Sequence, residues 1–264
     1  MKYTYEELAG MIDHSLLHPT MTDEELASGC AVAVKYRAAS VCIKPYAVRR
    51  AAELLRGSGV LVGCVIGFPH GNSTTEVKRF ETEVACRDGA AEIDMVINVG
   101  KALGGDWDYV EQDVRAVCDE AHRHGAKVKV IFENDYLTKG GAGLSSEELK
   151  VKLCQICERA GADWVKTSTG YGFVRQADGS YNYRGATEAD LALMRASCSA
   201  RVQVKAAGGV RDLDGLIRVR ELGGTRCGAT ATAAMLDEFR RREAAEKAGQ
   251  AVGTAEGRIG SGGY

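Results

Sequence analysis

What most constrains this chain is a repeat of kind rather than of letters: eight short runs rich in β-branched residues, each followed by a stretch of helical period. In order they are MIDHSL (11–16), ASVCIK (39–44), VLVGCVIGF (60–68), EIDMVIN (92–98), KVKVIFE (127–133), DWVKTST (163–169), VQVKAAG (202–208) and TRCGAT (225–230). They are mostly continuous apolar runs, the pattern of parallel strands covered on both faces. The segments between them carry helix signals with a mechanism. TDEEL (22–26), STTEV (73–77) and SSEEL (145–149) each set Ser or Thr three residues ahead of Glu, so that two side chains can satisfy free amides at a helix start. Val110, Val114, Val117, Cys118 and Ala121 form one apolar stripe, with Gly125 as a stop. Eight such units behind a short helix near residues 4–10 predict an α/β fold, a (β/α)8 TIM barrel. A doubly wound open sheet is the alternative, but the eight units show no switch point.

At 264 residues the chain suits one barrel domain, residues 1–248. The remainder, 249–264 (GQAVGTAEGRIGSGGY), is Gly-rich, breaks the preceding helical pattern and is expected to be a mobile tail. The net charge is -2 with both signs interspersed, so neither a nucleic acid nor a membrane surface is an expected partner. The N-terminal stretch has no apolar run of signal or spanning length, which predicts a cytoplasmic protein. Nine cysteines are scattered through strands and helices, and the Cys154–Cys157 CxxC lies inside an amphipathic helix with no second pair. They read as buried thiols. His14 and His18 are four apart, but Pro19 favours strand or loop; His122 and His124 end a helix, where positive charge suits the dipole. No metal site is expected.

Charged residues inside the strands are the second constraint. A barrel strand alternates one face toward the helices and one toward the interior. Val128 and Val130 flank Lys129, Val165 precedes Lys166, and Val202 and Val204 alternate with Gln203 and Lys205; Ile93, Met95 and Ile97 oppose Glu92 and Asp94. If the apolar residues face the helices, four neighbouring strands point Asp94, Lys129, Lys166 and Lys205 into one enclosed space. Two ammonium groups ~5 Å apart at an effective dielectric of ~20 repel by about 3 kcal/mol, or about two pH units, and desolvation acts in the same direction. A lysine so placed becomes partly neutral and nucleophilic, as Schiff-base chemistry requires. The residues alone leave open which lysine attacks. AAGGVRD (206–212) and GATAT (228–232), after the seventh and eighth strands, put Gly208, Gly209, Gly228, Ala229 and Thr230 where barrels commonly bind phosphate.

These stretches resemble a known family. IDHSLLHPTMT, VCIKPYAV, the long block from VIGFPHGNSTTEV to DYVEQDV, KVIFEN, DWVKTSTGYG, VKAAGGVRD and GTRCGAT together resemble the deoxyribose-phosphate aldolases, class I aldolases of (β/α)8 fold, along nearly the whole chain. The resemblance implies that Lys166 forms the Schiff base, that Lys205 is the neighbouring cation, that Asp94 relays protons through water and that Lys129 supports the same network. It implies substrate-binding positions at Asp13, Cys42, Thr167, Gly170 and the two glycine loops, and a C-terminal Tyr264 that folds over the site. The implied reaction cleaves 2-deoxy-D-ribose 5-phosphate to D-glyceraldehyde 3-phosphate and acetaldehyde with no cofactor or metal, in a homodimer. A related aldolase of another sugar phosphate, and a phosphate-binding barrel without catalysis, are the alternatives. Two departures stand out: Gly228-Ala229-Thr230 replaces the family's Gly-Thr-Ser, and the connections NDYLTKGGAGLSS and YGFVRQADGSYNYRGAT are long. The long connections are expected to close over the acceptor and alter the sugar-phosphate range.

Overall fold

A computed structural model describes residues 1–250, 257, 259 and 260. Among these residues ten strands occur in chain order: β1 (Ile12–Leu16), β2 (Ser40–Ile43), β3 (Leu61–Ile66), β4 (Glu92–Val96), β5 (Lys127–Ile131), β6 (Trp164–Lys166), β7 (Val174–Arg175), β8 (Tyr181–Asn182), β9 (Gln203–Ala207) and β10 (Gly224–Ala229). Eight close a parallel barrel in the order β1-β10-β9-β6-β5-β4-β3-β2, and β7 and β8 form a separate antiparallel hairpin. The closed barrel disposes of the open-sheet alternative, and each barrel strand coincides with an expected run apart from one to three residues at the ends.

The outward residues explain the closure. Val41, Ile93, Val128, Val165 and Val204 are fully buried between the sheet and its ring of helices. Each such aliphatic side chain contributes about 1.5–3 kcal/mol relative to an exposed one. Helix starts follow the capping signals in two of the three expected places, where Thr22 and Glu25, and Ser145 and Glu148, cap each other reciprocally. At the third, the cap is Thr74 rather than Ser73: its hydroxyl accepts from the Val77 amide, and Glu76 falls one position short of where it could reach back. Between the helices Thr75–Asp88 and Trp107–Arg123, Lys78 Nζ donates to Asp113 Oδ2 at 2.5 Å and to the Val96 carbonyl at 2.9 Å, with both side chains buried.

The connection after β6 holds the β7–β8 hairpin, where the sequence suggests only a long loop; strands of two residues are too short to leave a periodic signal. Most of the tail lies outside the described residues. Where it is described it returns to the barrel: Ile259 packs on the core, and Gly260 is buried so closely on Gly209 that a Cβ there would come within 2.6 Å of the Gly260 Cα. Among the described residues no helix is long and apolar enough to cross a membrane.

Candidate active site

Strand register stacks the charged residues into one layer. Asp94 on β4 sits opposite Lys129 on β5, and Lys166 on β6 sits opposite Lys205 on β9. Asp94 Oδ2 accepts from Lys166 Nζ at 2.7 Å and from Lys205 Nζ at 2.6 Å, while Lys129 Nζ lies 3.1 Å from Oδ1. Asp13 on β1 brings Oδ2 to 2.5 Å from Lys205 and 3.1 Å from Lys129, as ion pairs without a well-angled hydrogen bond. Lys129 also reaches Glu92 at 2.5 Å. Arg226 on β10 ties the layer together by donating to Asp13 and, at 2.7 Å, to Glu92. All seven side chains are buried.

The three lysines are solvated unequally by carboxylates. Lys129 touches Asp13, Glu92 and Asp94; Lys205 touches Asp13 and Asp94; Lys166 touches Asp94 alone. Burial lowers the pKa of Lys166, Asp94 opposes that, and Lys205 adds to the lowering, so the net direction is down. For Lys205 burial also acts downward, but the fields of Asp13 and Asp94 outweigh it and the net direction is up. Lys129 is likewise raised by Asp13 and Asp94 against burial. Burial pushes Asp94 upward, yet Lys129, Lys166 and Lys205 together hold it well below the usual carboxylate range. Against the expectation from sequence, desolvation leads and repulsion by the second lysine only assists. Within this layer four cations face three carboxylates. Charge balances when one lysine is neutral, and Lys166 is the one with least to hold its proton.

Above the layer, at the C-terminal ends of the strands, opens a cavity of about 310 Å³. The Lys166 and Lys205 side chains form its floor with Cys42; Gly170 and the loops carrying Gly208, Gly209, Gly228, Ala229 and Thr230 form its wall and rim. Burial raises the Cys42 thiol, and Asp94 adds to this, which keeps it protonated. Asp13, Asp94 and Lys129 lie beneath the floor. Thr167 is turned away: alternation along β6 points it at β9, where its hydroxyl donates to the Ala207 carbonyl at 3.2 Å and accepts from the Ala207 amide at 3.1 Å. Thr169, two residues on, takes the place on the cavity wall. Tyr264 lies outside the described residues.

Several residues at the site escaped the sequence reading. Arg226 completes the charge layer, but TRCGAT has too little apolar alternation to show that its arginine points inward. Glu133, just after β5, has left-handed backbone (φ 57), is buried, and accepts hydrogen bonds from the Thr169 hydroxyl and, at 3.3 Å, from the Thr169 amide. Burial pushes its carboxyl up to about 7, the Thr169 bonds opposing and Asp135 assisting. Arg211 and Tyr183 also line the cavity. The arginine stands in the quoted VKAAGGVRD stretch, whereas nothing local marks Tyr183, which arrives from the hairpin connection. Among the described residues no group of three or more His, Cys, Asp or Glu side chains is arranged to hold a metal ion. Cys154 and Cys157 are both buried, as expected of core thiols.

Lysines gathered beneath a glycine-walled cavity at the C-terminal end of a barrel are one half of the comparison with known proteins. The other half is the sequence, in which residues 8–253 match the model of the DeoC/LacD family aldolases. The chain belongs to that family. It is 49% identical over 240 residues to a deoxyribose-phosphate aldolase of Rhodopirellula baltica, covering 91% of this chain and 92% of that one. A deoxyribose-phosphate aldolase of Clostridium perfringens is 44% identical over 88% of this chain and 95% of its own. Among solved structures, a tetrameric deoxyribose phosphate aldolase from Aeropyrum pernix superposes with a TM-score of 0.77 at 28% identity, covering 90% of this chain and 92% of that chain.

Proposed function

We propose that the chain is a class I aldolase that cleaves 2-deoxy-D-ribose 5-phosphate reversibly to D-glyceraldehyde 3-phosphate and acetaldehyde, with Lys166 as the Schiff-base nucleophile. The observation that carries this reading is the unequal distribution of carboxylates: Lys166 has one partner where Lys205 has two and Lys129 three. A neutral amine is therefore available on Lys166 while its neighbours stay cationic. The amine attacks the open-chain aldehyde, water leaves, and an iminium forms. The C3 hydroxyl gives up its proton, the C2–C3 bond breaks, and its electron pair flows into the iminium to give an enamine as glyceraldehyde 3-phosphate departs. The enamine is protonated at carbon and water hydrolyses the resulting iminium, which frees acetaldehyde and the lysine. The iminium is the electron sink, so the chemistry asks for no cofactor. Asp94, in contact with all three lysines, is the group through which a water can pass protons, and the glycine loops together with Thr230 receive the phosphate.

Borohydride reduction in the presence of acetaldehyde, followed by peptide mapping, tests the assignment. The expected result is a stable two-carbon adduct on Lys166, together with steady-state cleavage of deoxyribose 5-phosphate. An adduct on Lys205, or none, overturns it.

A further inference from the structure

The hairpin connection sends one aromatic residue back to the site. Tyr181, Asn182 and Arg184 are exposed, while Tyr183 between them is buried and stands in the cavity wall. The segment that carries it is fixed from both sides. The Asp135 carboxylate accepts from the amides of Arg184 at 2.6 Å and Gly185 at 3.0 Å, and the Ala186 amide donates to the carbonyls of Ala207 at 3.1 Å and Gly208 at 3.0 Å. Gly185 (φ 74) lies flush on the glycine loop, where a Cβ would come within 2.5 Å of the Gly208 carbonyl oxygen, so no other residue permits this approach. Phe173 packs edge-on against the Tyr183 ring with centroids 5.5 Å apart.

The hydroxyl end of the ring points to the anion end of the cavity. Cε2, the neighbour of the hydroxyl-bearing carbon, is the ring atom that a Cβ on Gly208 would meet at 3.4 Å. Burial raises the phenol pKa, the Arg211 guanidinium opposes this and the more weakly acting Asp135 and Glu133 carboxylates add to the rise, so the hydroxyl is protonated and lies within the field of Arg211. A guanidinium carries donors only and cannot accept from the phenol. The hydroxyl donates no hydrogen bond among the described residues, and since it is not one of the sealed polar atoms either, it opens onto the cavity that the ring lines. A donor that opens onto the cavity beside a cation and a loop of backbone amides is complementary to an anionic oxygen.

We propose that Tyr183 is a specificity-determining residue, its hydroxyl donating a hydrogen bond to the phosphoryl group of the substrate. The inference rests on the reading of the site as that of a sugar-phosphate aldolase. The hairpin thereby supplies a side-chain donor on the side of the phosphate opposite the Gly228–Thr230 loop.

The test compares the wild type with Tyr183→Phe, which keeps the ring and its contacts. A hydrogen bond to a charged group is worth about tenfold or more in affinity. KM for deoxyribose 5-phosphate should rise about tenfold with kcat within about twofold, while kcat/KM for unphosphorylated deoxyribose should not move. Inorganic phosphate, titrated calorimetrically into the unliganded enzyme, should bind the variant about tenfold more weakly. Unchanged KM and unchanged phosphate binding would overturn the role of Tyr183, as would equal losses for both sugars, which would make the ring a wall and nothing more. A wild type that bound phosphate through Tyr183 but did not cleave deoxyribose 5-phosphate would overturn the substrate and leave the hydroxyl's role standing.

Discussion

Lys205→Met separates two ways in which the second lysine can matter. Both ammonium groups bond the same oxygen of Asp94, at 2.7 and 2.6 Å, which places the two nitrogens about 4.5 Å apart for an angle near 120° at that oxygen. At an effective dielectric of ~20 their repulsion is about 3.7 kcal/mol. Removing Lys205 relieves Lys166 of that repulsion and leaves three cations against three carboxylates, so Lys166 is now needed in its charged form. The sign follows directly: the neutral amine appears at higher pH, and activity is lost at low pH and regained at high pH. The acid limb of log kcat/KM for deoxyribose 5-phosphate cleavage, measured from pH 5 to 10.5, should move up, with a loss that is largest at low pH and shrinks as pH rises. The rate of borohydride trapping with acetaldehyde should follow the same curve. If the limb stays in place and the loss is uniform across pH, Lys205 acts on the substrate or as a proton donor, and the argument from repulsion is wrong.

Two further predictions concern stability. Because burial holds the Glu133 carboxyl at about 7, against about 4.5 in an unfolded chain, the folded state favours the protonated acid. Its contribution is fully present below pH 4.5 and is lost as pH rises through 7, amounting to at most about 3 kcal/mol. Glu133→Gln should therefore flatten the fall in denaturation midpoint between pH 4.5 and 7.5, and an unchanged slope would mean that the carboxyl is ionised throughout. In the buried Lys78–Asp113 pair, Asp113→Ala should cost about 3–5 kcal/mol by stranding the ammonium, whereas Lys78→Met combined with Asp113→Leu should recover most of it. Equal losses in the single and double variants, read by urea denaturation, would show that the pair itself is worth that much.

The fold was legible because each barrel strand carries a local signature and several of the helices a capping signal. Much of the site was legible for a different reason, namely that charge is conspicuous in an apolar strand: Lys129, Lys166, Lys205 and Asp94 announce an interior layer by alternation alone. Arg226 does not, since it stands among Gly, Cys and Thr with no apolar neighbours to contrast with. Thr167 was drawn toward the substrate by the motif it belongs to, but the register of β6 against β9 spends its hydroxyl on the backbone. Glu133 and Tyr183 come from connections, where position depends on closure of the whole barrel rather than on local pattern. The choice of nucleophile belongs to this last class. Residue chemistry alone left it open and only the resemblance pointed to Lys166; the proposal made from the structure rests on how many carboxylates fall against each ammonium, a fact of three dimensions.

Seven ionisable side chains occupy a level of the barrel that aliphatic residues would otherwise fill, and each is balanced by others on different strands. A change to one member of such a layer alters the charge balance of all the others. The exposed turn of the β7–β8 hairpin has no such ties: residues 175–182 can lengthen, shorten or exchange while the floor stays as it is. An engineer seeking new acceptors should therefore randomise residues 175–182 and leave the strands and the phosphate loops alone. Natural variation among related enzymes is expected to have followed the same division.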